Sequence, residues 1–127
     1  MATSLFELLE RIAEQLPGCL HTSVVDRETG LALAAVSQGD PLDSAGADAY
    51  HSDLYRLSTF AAIGLPKSSQ AEGIVLTGKR SVFVSLPLGE TGFVWLVVTK
   101  RETTVGFTQA IMRKRGDEIA ESLAVLV

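Results

Sequence analysis

The order in which helical and strand-like segments follow one another constrains this chain most. Leu5, Leu8, Leu9, Ile12 and Leu16 recur at helical spacing, with Glu7, Glu10, Arg11 and Glu14 off that face. Ser4 followed by Glu7 forms a capping box at its start, and Pro17-Gly18 ends it. Cys19 to Asp26 then reads as a strand, Asp26 to Gly30 as a turn, and Leu31 to Val36 as the return strand. A second helical pattern covers Ala45 to Ile63, closed by Gly64-Leu65-Pro66. Three short strands follow: Gly73 to Thr77, Ser81 to Leu86 and Phe93 to Thr99. The last is the most hydrophobic run and is expected at the sheet centre, buried on both faces. Thr103 or Thr104 opens a closing helix whose buried face is Phe107, Met112, Ile119, Leu123 and Leu126. Helix, strand pair, helix, three-strand meander, helix: the pattern predicts an α+β layer domain with an antiparallel sheet of five strands.

At 127 residues the chain is read as one domain, 1–127, large enough to bury a core without staples. Its net charge of -4 weighs against nucleic acid as a partner, because neutralising phosphates dominates that affinity. No apolar stretch approaches the roughly 20 residues needed to cross a bilayer, and no leader pattern opens the chain, so no membrane insertion and a cytoplasmic location are expected. The single cysteine, Cys19, can form neither an internal disulfide nor a thiolate metal cluster, and packing is its expected role.

Catalytic apparatus is scarce. Gly73-Ile74-Val75-Leu76-Thr77-Gly78-Lys79 matches a phosphate-binding loop up to its last position, where Arg80 stands in place of the Ser or Thr that would hold magnesium. Such a loop must join a strand to a helix, whereas these residues read as a strand and a hairpin turn. His21 and His51 have no second ligand at metal-binding spacing, and a hydrogen-bonded or exposed imidazole is expected of His21. Arg113, Lys114 and Arg115 precede the acids Asp117, Glu118 and Glu121, as on a solvated helix face. Arg115-Gly116-Asp117 spells an adhesion tripeptide but falls inside a helix. No metal and no cofactor are therefore expected.

The strand around Ile74, Val75 and Leu76 is short, uncharged and apolar on both faces. Natural sheet edges are protected by charge, proline or a bulge. Beside it in sequence, the middle helix is rich in small residues and carries a mixed stripe of Ala49, Asp53, Arg56, Phe60 and Ile63. A bare edge next to such a helix predicts that a second copy covers both, so these eight residues form the expected dimer or partner interface.

With those residues in place, the chain resembles the roadblock or dynein light chain family, in particular its bacterial gliding-motility type. The resemblance runs through Leu16-Pro17-Gly18, Ser23 to Ala32, the small-residue middle helix, Phe93 to Val98 and Val105-Gly106-Phe107. It departs at His21-Thr22, where many members carry small or apolar residues. The resemblance implies a five-stranded antiparallel sheet with the middle helix on one face and the two terminal helices on the other. It also implies dimers, with itself or with a roadblock-like paralogue, joined through the middle helix and the next strand. A small Ras-like GTPase is the partner so implied, regulated or scaffolded by a module without an active site of its own. If hydrolysis is accelerated, ordering of the GTPase's own residues is expected over an inserted arginine, with Arg56 the residue to test. The alternative is a small-ligand sensor with a pocket between sheet and helix lined by Trp95, Phe83 or Tyr50. An enzyme using His21 or His51 ranks last.

Overall fold

The structure, a computed structural model, describes residues 4–38, 73–89 and 91–126, together with Leu57, Gly64 and Pro66. Helix α1 spans Leu5–Gln15, strands β1 Cys19–Asp26 and β2 Ala32–Ser37, and the meander comprises β3 Ile74–Thr77, β4 Ser81–Pro87 and β5 Phe93–Lys100. Helix α2 runs over Val105–Leu126. The middle helix expected over Ala45–Ile63 lies outside the described residues except for Leu57, which is helical and exposed.

The five strands form one antiparallel sheet in the order β2-β1-β5-β4-β3. The apolar run Phe93 to Thr99 takes the central position, with Val94 through Thr99 all buried. Successive side chains on a strand alternate between faces. Val24, Val82, Val84, Trp95 and Val97 point to one face and join the core formed with Leu5, Leu9, Ile12, Met112, Ile119 and Leu123 of the helices. Val25, Val94, Leu96 and Val98 point to the other face and are buried as well. Both faces of the inner strands are thus shut off from water.

Helix α1 begins as its sequence demands. The Ser4 hydroxyl accepts from the Glu7 amide at 3.2 Å, and the apolar stripe Leu5, Leu8, Leu9, Ile12 and Leu16 is buried. It lies over β1 and β2 and against α2, which reaches across to β4. Gly18, at φ +75°, turns the chain from α1 into β1; a Cβ there would come within 2.5 Å of Thr103 Oγ1, whose hydroxyl donates to the Pro17 carbonyl. At the sheet centre the Trp95 indole donates to Thr22 Oγ1 at 2.8 Å, and that hydroxyl donates to the Leu96 carbonyl at 3.1 Å.

Two expectations for α2 need correction. Phe107, expected on the buried face, is 46% exposed. It lines an open cleft of about 550 Å³ with Pro17, Gly18, Lys100, Thr103 and Thr104. Arg115, expected on a solvated face, is half-buried: it donates to Glu118 at 3.0 Å and to Gln15 of α1 at 3.1 Å, tying the two helices together. Leu126 belongs to α2, and its side chain lies outside the described residues.

Candidate functional site

Of the eight interface residues read from the sequence, Ile74, Val75 and Leu76 are described; Ala49, Asp53, Arg56, Phe60 and Ile63 lie outside the described residues. The three form β3, the outer strand at one end of the sheet. Its partner is β4, in the register Ile74–Ser85, Val75–Val84, Leu76–Phe83 and Thr77–Val82. Gly73 brings the chain onto β4 at close range, since a Cβ there would lie 2.7 Å from a Leu86 methyl and 2.9 Å from the Ser85 carbonyl oxygen.

Which backbone groups this edge offers follows from the ladder. The Gly78 amide donates to the Ser81 carbonyl at 2.8 Å, so Gly78–Ser81 is a bonded pair. Bonded pairs alternate in antiparallel sheets, which makes Leu76–Phe83 and Ile74–Ser85 the next two. The N–H and C=O groups of Val75 and Thr77 therefore point away from β4. Val75 is also 40% exposed, while Ile74 and Leu76 are half-buried on the opposite face. An edge of this kind is chemically a docking line: directed donors and acceptors with an apolar side chain at its middle and no charge along it.

The remaining candidates lose their chemistry in place. Gly73 to Lys79 forms strand β3 and the β3–β4 turn, with no helix following, so its amides do not converge on a phosphate. His21 is fully buried, with Nδ1 2.9 Å from Ser37 Oγ, which removes it from any substrate in solvent. His51 and Tyr50 lie outside the described residues. Cys19 is buried, and burial pushes its thiol up to about 11, away from the thiolate needed for reactivity. Trp95 sits in the core, 1% exposed, with its N–H bonded to Thr22. The Arg115-Gly116-Asp117 tripeptide is helical. Among the described residues, no group of three or more His, Cys, Asp or Glu is placed to hold a metal ion.

The fold matches solved structures over nearly the whole chain. A roadblock/LC7 domain from Streptomyces avermitilis superimposes with a TM-score of 0.81 at 18% identity, covering 96% of this chain and 99% of that one. This is the roadblock fold. An MglB described with a tetrameric arrangement gives a TM-score of 0.84 at 15% identity, covering 100% of this chain and 96% of the other. The gliding protein MglB from Thermus thermophilus gives 0.79 at 16% identity, covering 96% and 93%. No family model matches the chain, and no curated protein matches its sequence. At such identities the roadblock likeness is one of architecture, and the side chains at the edge are this chain's own.

One feature of the described surface escaped the sequence reading. The opposite outer strand, β2, also carries no charged residue from Thr29 to Gln38, but its ladder with β1 shifts register at Val24/Val25, whereas β3 pairs with β4 without interruption. The signal was present in composition, but which strands lie outermost depends on pairings between distant segments.

Proposed function

We propose that this chain is a non-enzymatic dimeric interaction module that regulates or scaffolds a small Ras-like GTPase in the cytoplasm. The observation that carries the reading is the outward-facing backbone of Val75 and Thr77 on an uncharged edge strand whose central side chain is exposed. A second roadblock-like chain, identical or paralogous, satisfies those groups by continuing the sheet. The roadblock architecture supports the same reading, since its neighbours include gliding proteins and one tetrameric arrangement. Ala49, Asp53, Arg56, Phe60 and Ile63, read from the sequence as interface residues, are assigned to the same dimer or GTPase-binding surface.

The test is assembly. Val75→Lys places a charge at the middle of the edge without disturbing the core, since the side chain already reaches solvent. Sedimentation equilibrium should show wild type as a dimer across the micromolar range and the variant shifted toward monomer by about tenfold or more in dissociation constant, the effect of roughly 1.4 kcal/mol. Stimulation of GTP turnover by a small GTPase encoded beside this chain should fall in parallel. A wild type that sediments as a monomer, or a variant that dimerises unchanged through the same strand, removes the basis for the reading.

A further inference from the structure

One end of the sheet gathers positive charge. The β3–β4 turn carries Lys79 and Arg80, and β5 closes on Lys100 and Arg101 beside it. The ladder holds them together: Ser81 pairs with Lys100, and the Arg101 amide donates to the Arg80 carbonyl at 3.2 Å. The Arg101 guanidinium also donates to the Gly78 carbonyl at 2.6 Å, fixing the turn against β5. All four residues are exposed, and among the described residues none of them forms an ion pair. The other basic run, Arg113 to Arg115, differs: Asp117, Glu118 and Glu121 follow it, and Arg115 pairs with Glu118.

Charge alone would make this a solvated rim, but it borders the cleft lined by Pro17, Gly18, Lys100, Thr104 and Phe107. The Lys100 stem lies against Gly18, its Cβ 3.4 Å from where a side chain on that glycine would begin. Phe107 brings a half-exposed aromatic ring to the same recess. Thr104 caps the start of α2, its hydroxyl accepting from the Phe107 amide at 3.4 Å, so the positive end of the helix dipole adds to the cations. Glu102 is the one acid lining the cleft.

We propose that the cleft and its basic border dock a short acidic segment of a partner protein. Its carboxylates meet Lys79, Arg80, Lys100 and Arg101, and an apolar side chain among them enters the recess against Phe107. The chain as a whole carries a charge of -4, so a polyanion that spreads beyond the patch, whether a duplex or an anionic bilayer, meets repulsion. Screening limits attraction to about 8–10 Å at ordinary salt, which a short segment lying within the patch still feels. A bilayer also takes up apolar side chains that project into it, whereas Phe107 borders a hollow. The cleft is complete within one chain, so the inference stands apart from the β3 pairing.

Fluorescence anisotropy tests this with a labelled glutamate-rich peptide holding a central phenylalanine and leucine, against its glutamine counterpart. At low salt wild type should bind the glutamate peptide about tenfold or more tightly than the glutamine one, a preference that fades at high salt. Lys79→Gln with Arg80→Gln should weaken the glutamate peptide by about fivefold, the effect of two exposed ion pairs, and leave the glutamine peptide unmoved. Phe107→Ser should weaken both peptides by about tenfold at any salt, because the lost contact is apolar. Glu102→Gln should tighten the glutamate peptide, since it removes a like charge. All these positions are exposed, and circular dichroism should be unchanged. Equal affinity for the two peptides, or a glutamate peptide that neither the turn variant nor Phe107→Ser moves, overturns the proposal. Binding to phosphatidylserine vesicles with no peptide bound overturns it in favour of a membrane surface.

Discussion

Trp95→Ala should cost about 3–5 kcal/mol of folding stability, the usual loss for deleting a large aromatic side chain from a core. Trp95 is 1% exposed and stands where β5 crosses under both helices, in one cluster with Val24, Ile12 and Met112. Domains of this size have only about 5–15 kcal/mol in total, so the variant loses a large share of it. The polar half of the site is separable. Thr22→Val keeps the side-chain shape but removes the acceptor of the indole N–H and the donor to the Leu96 carbonyl. The Leu96 carbonyl keeps its ladder partner Ser23, so the indole N–H is the group left buried without a partner, which should cost about 1–3 kcal/mol. Urea denaturation followed by circular dichroism reads both. A loss below about 0.5 kcal/mol for Thr22→Val, less than a typical hydrogen bond contributes, would mean that water replaces the hydroxyl.

The second large effect is a dependence on alkaline pH. Burial raises the Cys19 thiol to about 11 from the ordinary 9.0, against a small opposing contribution from its contact with the His21 carbonyl. As pH climbs past 9.0 the unfolded chain loses this proton first, so the folded state binds more protons and stability falls. The contribution is fully present below pH 9.0 and is lost by about pH 11, with a span of up to about 3 kcal/mol. Tyrosines and lysines titrate in the same window, and the measurement is therefore the difference between wild type and Cys19→Ala. Unfolding free energies from pH 7 to 11 should converge as pH rises, because the alanine variant lacks this loss. Parallel curves would show that the thiol ionises in place.

Much of the architecture was legible because its causes are local. The stripe Leu5 to Leu16 and the stop at Pro17-Gly18 define α1, and the uninterrupted run Phe93 to Thr99 announces a strand covered on both faces. Val75 was marked as an edge residue by what its neighbours lack, and its outward backbone agrees. The errors have one physical origin. Spacing put Phe107 on the apolar side of α2 but could not show that this turn borders an open cleft beside Pro17, Gly18 and Lys100. Likewise Arg115 looked solvated because its partner Gln15 stands 100 residues away in sequence. The β2 edge was missed for the same reason: a strand becomes outermost only through the pairings its neighbours make.

The bond between Trp95 and Thr22 also says something about synthesis. These residues are 73 positions apart, so the side of β1 that will meet β5 has no partner while the intervening chain is made. At ordinary elongation rates that interval is about 4–15 s. During it a nascent chain presents β1, with its β-branched valines, as an open template beside other ribosomes' products. Helix α1, already complete, can cover one face of that strand but not its hydrogen-bonding margin.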